Sequence, residues 1–174
     1  MDERSEFYCG VNSYENGMLN ILTYPNEILK KKSTEISPTE MKNWQLQIFI
    51  DQMIEMMKTA KGVGLAAPQV GKNIRLILAT KNDGEILALI NPEITKKSWI
   101  KIKSEEGCLS VPGKMGLVKR HKWVEVEALN RLGKEIKMRA TELFAIVLQH
   151  EIDHLDGILF IDRAEKIYEI KDIL

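Results

Sequence analysis

Several features are scarce in this chain of 174 residues, and each scarcity narrows what the chain can be. Net charge is absent: 25 lysines and arginines balance 25 aspartates and glutamates, so the whole molecule lacks the field that draws proteins onto nucleic acid or an anionic membrane. No apolar run approaches the length of a membrane span, and the opening "MDERSEFYCG" is acidic where a secretory signal would carry an apolar core. A soluble intracellular protein is expected. Two cysteines, Cys9 and Cys108, suffice for one bridge at most, and a reducing cytosol would keep both as thiols. Repeats, linkers and low-complexity tracts are missing. Histidine is rare too, with three in the chain.

What is present fits one compact domain, since 44% of the residues are hydrophobic. Residues 1–17 are polar or small without periodicity and read as a loosely ordered extension, whereas "MLNILTYPNEILKKKS" opens a domain spanning 18–174. Lys30-Lys31-Lys32 within it reads as a solvated helix end. Ser37-Pro38 can cap and open a helix, and Leu46, Phe49, Ile50, Met53 and Met57 keep the three-and-four spacing of one buried face. That helix must stop in "KGVGLAAPQVG", where Gly62, Gly64, Pro68 and Gly71 break regular structure. Strand-like runs follow in "IRLILA", "EILALIN", "WVEVEALN" and "KEIKMRA", the last two joined as a hairpin around Asn130 to Gly133. A second helix is expected from a Thr141 N-cap through Leu155, with Gly157 just past its end. The order, without alternating βαβ units, predicts an α+β fold of short antiparallel strands packed around this central helix.

The central helix carries "LQHEIDHLDG". His150 and His154 lie one helical turn apart, so both imidazoles can reach one ion, and Glu151 can face water on that ion. Two histidines leave a catalytic metal site one ligand short. The layout H-E-x-x-H-x-x-G-x-x-H fails because Phe160 stands at its last position. Glu165 and Glu169 are downstream candidates, though cramped. Upstream, Cys108 in "EEGCLSVPG" is the leading donor, since a thiolate binds zinc or ferrous iron well; read alone, it is a small buried hydrophobe. His121, in "VKRHKW", is expected to point to solvent. "GVGLAAPQVG" lacks the lysine and spacing of a P-loop, but its small residues, Gly64 among them, let a substrate backbone approach closely. Gln69 is its one polar side chain and, read alone, braces the loop. Leu143, Ile146 and Val147 extend the metal-facing side of the helix and, with Val63, could hold an apolar side chain or simply pack in the core.

"GVGLAAPQ", "EGCLS" and "QHEIDHL", in this order and at these separations, resemble the three signature motifs of the peptide deformylases, and the similarity runs from about Met18 to Asp162. Members of that family remove the formyl group from the N-terminal methionine of new bacterial and organellar proteins. The resemblance implies that Cys108, His150 and His154 are metal ligands and Glu151 the general acid/base. It also implies that Gln69 and the Leu109 backbone N–H hold the developing oxyanion. The implied metal is ferrous iron, with zinc, nickel or cobalt also able to occupy the site. The implied partners are nascent polypeptides bearing formyl-Met, in a bacterial cytoplasm or a eukaryotic organelle. A methionine side chain would then occupy the pocket of Val63, Leu143, Ile146 and Val147.

Two features depart from the pattern. Bacterial relatives often end in a longer basic helix that docks on the ribosome, whereas "DRAEKIYEIKDIL" is short and mixes charges, which weakens the case for ribosome contact. Residues 1–17 match none of the motifs. Two rivals share the helix: a general His-Glu-x-x-His metallopeptidase, needing a carboxylate or histidine third ligand, and a non-catalytic metal-binding module, which would need neither Glu151 nor Gln69.

Overall fold

The computed structural model describes Tyr14–Glu15 and residues 18–170. The expected loose extension, residues 1–17, and Cys9 within it lie outside the described residues, save for Tyr14–Glu15. That pair forms β1, antiparallel to β2 (Met18–Leu19).

Ser37 caps a helix as its sequence suggests, with its hydroxyl accepting from Glu40 N at 3.3 Å and its own N–H donating to Glu40 Oε2 at 2.7 Å. This helix, α1 (Pro38–Met41), is a single turn. Asn43 then starts a separate helix, α2 (Trp44–Thr59), by accepting from Gln45 N at 2.9 Å. Leu46, Phe49, Ile50, Met53 and Met57 of α2 are all buried, as their spacing predicts.

Beyond α2 come β3 (Gly64–Ala66), a 3₁₀ turn (Ala67–Val70), β4 (Leu76–Thr80) and β5 (Ile86–Lys97). A long hairpin of β6 (Lys101–Cys108) and β7 (Val111–His121) follows, and then the expected hairpin of β8 (Trp123–Leu129) and β9 (Glu135–Thr141). The central helix α3 (Glu142–Leu155), a short α4 (Phe160–Arg163) and β10 (Lys166–Glu169) complete the described chain. All the strand pairs are antiparallel, in a five-stranded sheet ordered β3-β4-β5-β8-β9 and a three-stranded sheet ordered β10-β7-β6.

The continuous apolar run of β4 is explained by its two buried faces. Leu76 and Leu78 pack with the α2 residues, while Ile77 and Ala79 pack with Ala145, Leu148 and Ile152 of α3. The five-stranded sheet thus lies between α2 and α3, and Leu76, Ile77 and Leu78 each contribute on the order of 1.5–3 kcal/mol by leaving water. A third cluster, including Leu29, Val118, Leu159 and Phe160, packs against the three-stranded sheet.

The Thr141 side chain makes no capping bond on α3; Asn82 Oδ1 accepts from Phe144 N at 3.2 Å instead. Gly157 ends α3 with φ +72°, and a Cβ there would stand 2.5 Å from the Lys30 carbonyl oxygen, so only glycine fits. His121 differs from expectation. It is half-buried, with Nδ1 2.6 Å from Ser98 O, because β7 carries it under the turn between β5 and β6.

Candidate active site

Cys108 ends β6, where the register to β7 shifts between Gly107 and Cys108 and takes the thiol out of the regular ladder. The α3 helix presents His150 and His154 to the same point. The ligating atoms of Cys108, His150 and His154 all lie within 4.8 Å of one another, and Cys108 Sγ is 3.2 Å from His154 Nε2. The downstream carboxylates are elsewhere: Glu165 pairs with Lys103 at 3.2 Å and Lys119 at 2.5 Å, and Glu169 sits opposite Lys114 in the sheet.

His150 is oriented by what lies behind it. His150 Nδ1 is 2.8 Å from Glu106 Oε2, which turns Nε2 toward the cysteine. Glu106 accepts from Arg120 Nε at 2.7 Å and Nη2 at 2.8 Å, and Arg120 Nη1 reaches Asp153 at 2.5 Å. Asp153 in turn takes two hydrogen bonds from Arg163, at 2.6 and 2.7 Å. Burial opposes charge on Glu106, but the Arg120 and His150 hydrogen bonds outweigh it and hold the carboxyl at about 2. These supporting residues escaped sequence reasoning. The one available signal was Glu106, two positions before Cys108 in a motif already singled out.

The charge balance suits a cation. Burial holds His154 well below its ordinary pKa, so it is a neutral imidazole with a lone pair to give. Burial also disfavours charge on His150, yet hydrogen bonds to Cys108 and Glu106 outweigh it and raise this group to about 10. A thiol, two carboxylates and two imidazoles converge where positive charge is in demand. A divalent ion on Cys108, His150 and His154 meets that demand with the sulfur and nitrogen donors it prefers. Glu151 is not among these three donors. Its carboxyl, raised to about 7 by burial, packs against Gly64, and among the described residues its Oε2 is buried without a protein hydrogen-bond partner. An unpartnered buried oxygen beside three donor atoms is suited to a group entering from the cavity.

Gln69 is both a brace and a site residue. Its Oε1 accepts from Ala66 N at 2.8 Å, which fixes the amide so that Nε2 points to Ser110 Oγ at 3.2 Å and Cys108 Sγ at 3.5 Å. A cavity of ≈ 370 Å³ opens in front, lined by Gln69, Cys108, Leu109, His150 and Glu151. Val63, Gly64, Leu143, Ile146 and Val147 line it too, with Val63 and Leu143 exposed at its mouth and Val147 buried. Apart from the downstream carboxylates, every candidate site residue read from the sequence therefore borders this cavity except His154, which is buried behind Cys108.

Comparison with known proteins points the same way. The family model for polypeptide deformylases matches residues 18–169. A peptide deformylase of Thermodesulfovibrio yellowstonii is 53% identical over 154 residues, covering 86% of this chain and 91% of the relative. One from Halothermothrix orenii is 46% identical, covering 87% and 97%. A crystal structure of a class I type b peptide deformylase from Acinetobacter baumannii with Met-Ala-Ser bound superposes with a TM-score of 0.80 at 35% identity. It covers 84% of this chain and 98% of the other.

Proposed function

This chain belongs to the peptide deformylase family, metal-dependent hydrolases that remove the formyl group from the N-terminal methionine of new polypeptides, and from that premise we propose a role for each residue of its site. Cys108, His150 and His154 hold one divalent ion, ferrous iron in the cell, with zinc, nickel or cobalt as substitutes. The observation that carries this reading is the convergence of those three donors beside a buried, non-ligating Glu151.

When bound, the ion supplies Lewis acidity, lowering the pKa of water and polarising the formyl oxygen. The protein does the rest. Glu151 takes a proton as water adds to the formyl carbon and returns it to the amine nitrogen as the C–N bond breaks and formate leaves. Burial, which raises the Glu151 carboxyl, favours its taking up the proton. Gln69 Nε2 and the Leu109 N–H donate to the oxyanion, each worth about 3–4 kcal/mol in such sites. Val63, Leu143, Ile146 and Val147 receive the methionine side chain, in keeping with the Met-Ala-Ser peptide found in the Acinetobacter relative. Gly64 keeps the wall thin enough for the peptide backbone to lie close. No described helix is long and apolar enough to cross a membrane. The proposed work on nascent chains belongs in a bacterial cytoplasm or, in a eukaryote, in an organelle.

A general metallopeptidase would place a carboxylate or histidine where Cys108 stands. A structural metal site would close with a fourth protein ligand, and the cluster among the described residues has three. The test is release of formate from formyl-Met-Ala-Ser by metal-loaded protein, beside acetyl-Met-Ala-Ser as control. The formyl carbon bears only hydrogen, whereas acetyl brings a methyl group into the space between Gln69, Leu109 and the ligands. Preference for the formyl peptide is expected; equal kcat/KM for the two would overturn the reading.

A further inference from the structure

Trp99, between β5 and β6, is 100% exposed. The turn that carries it is firmly built. Ser98 N donates to Trp123 O at 2.9 Å, Ile100 N donates to Ser98 Oγ at 3.0 Å, and Lys122 N donates to Ile100 O at 3.0 Å. His121 Nδ1, 2.6 Å from Ser98 O, fastens the same turn from below. An indole left wholly open on a braced turn has no part in the core, and tryptophan is among the residues enriched where macromolecules meet.

Its surroundings are cationic, although the chain as a whole is neutral. "KKSWIKIK", residues 96–103, has four lysines and no acid, and "KRHK", residues 119–122, runs beside it with Lys101 opposite His121 and Lys103 opposite Lys119. Some of this charge is already spent: Lys96 pairs with Glu125, Lys103 and Lys119 with Glu165, and Arg120 is buried against Glu106. Lys97, Lys101 and Lys122 are exposed and, among the described residues, form no ion pair.

We propose that this hairpin tip is a docking surface for single-stranded RNA, with Trp99 stacking on an unpaired base and Lys97, Lys101 and Lys122 meeting phosphates. One open ring and a few cations are what sequence-tolerant single-strand binding requires, and a turn already ordered loses little entropy on docking. An anionic membrane is the poorer match, because interfacial binding grows with buried apolar area and the tip offers Trp99 and Ile100 alone. The choice of RNA over DNA rests on the deformylase reading, since new polypeptides are made beside RNA. From Lys101 to Cys108 the β6 strand spans roughly 23 Å at about 3.3 Å per residue, so the docked strand leaves the cavity open.

Anisotropy of a labelled twelve-nucleotide oligouridylate, titrated with the full chain at several salt concentrations, tests the proposal. Formyl-Met-Ala-Ser turnover by the same samples controls for folding, and its failure in the wild type would count against the deformylase reading alone. Trp99→Ala should weaken binding by about tenfold. The Lys97→Gln/Lys101→Gln/Lys122→Gln variant should flatten the salt dependence by about 2 in log–log slope. Turnover should be unchanged in both. Absence of oligouridylate binding by the wild type overturns the proposal, as does equal binding by the variants. Trp99-dependent binding to phosphatidylglycerol vesicles but not to the oligonucleotide also overturns it, and would assign the tip to a membrane surface.

Discussion

The Glu151 carboxylate occupies the space that a side chain on Gly64 would need: a Cβ built on Gly64 would stand 2.8 Å from Glu151 Cδ and 2.9 Å from Cγ. Both distances are shorter than real Cβ atoms tolerate, and Glu151 is enclosed, so one of the two must move. Gly64→Ala should therefore push the carboxylate off its position, lowering kcat by about tenfold or more while leaving the metal ligands in place. Metal content and kcat measured on one preparation check this. Full turnover in a metal-replete Gly64→Ala protein would show that the carboxylate position is not critical.

Glu151→Gln keeps the shape and removes the proton acceptor. Because Glu151 stands apart from the Cys108, His150 and His154 cluster, metal content should match the wild type while kcat falls by about 10²- to 10⁴-fold. Loss of the metal along with activity would instead make Glu151 a ligand.

The parts of this protein that were legible in its sequence are those where one period or one motif carries the information. The α2 stripe of Leu46, Phe49, Ile50, Met53 and Met57 has one buried face, and His150 and His154 declare themselves by helical spacing alone. The β6–β7 hairpin does not show. Lys101, Lys103 and Glu105 point outward and Ser104 lies among the inward residues, so no run of apolar residues marks a strand. β3 hides in a glycine-rich stretch because two of its three residues are Gly64 and Ala66, chosen for close approach and not for strand propensity. Glu106, Arg120 and Asp153 are charged residues in the interior. Charge normally signals surface, and only the fold brings three such residues from β6, β7 and α3 together.

That network supports a further expectation. Arg120 neutralises both Glu106 and Asp153 with its side chain 4% exposed, so Arg120→Met leaves two buried carboxylates short of a cation. Removing one partner of a buried pair typically costs about 3–5 kcal/mol. For a domain of this size that is a fall in Tm of roughly 6–20 °C. Glu106→Gln should act on the site as well, weakening metal affinity by about 10- to 100-fold through a less firmly held His150. Thermal melts and chelator competition give the two readouts. An unchanged Tm in Arg120→Met would mean that Arg163 alone suffices for Asp153, and that Glu106 tolerates the loss.

The last expectation concerns Cys108 once the metal is removed. Its thiol is half-buried yet lines the cavity, with Gln69 Nε2 at 3.5 Å and His154 Nε2 at 3.2 Å, so reagents that enter the cavity can reach it. Coordination occupies the sulfur lone pairs, and a chelator returns them. Iodoacetamide should then label Cys108 faster in chelator-treated protein than in metal-loaded protein, by about tenfold or more, because the thiolate is the reactive form. Peptide-resolved mass spectrometry separates this from Cys9, whose labelling should not respond to metal. Re-adding zinc should restore protection without any turnover being measured, which keeps the test independent of catalysis. Equal labelling of Cys108 with and without metal would mean that the sulfur is not a ligand, leaving His150 and His154 to hold an ion with a donor from elsewhere.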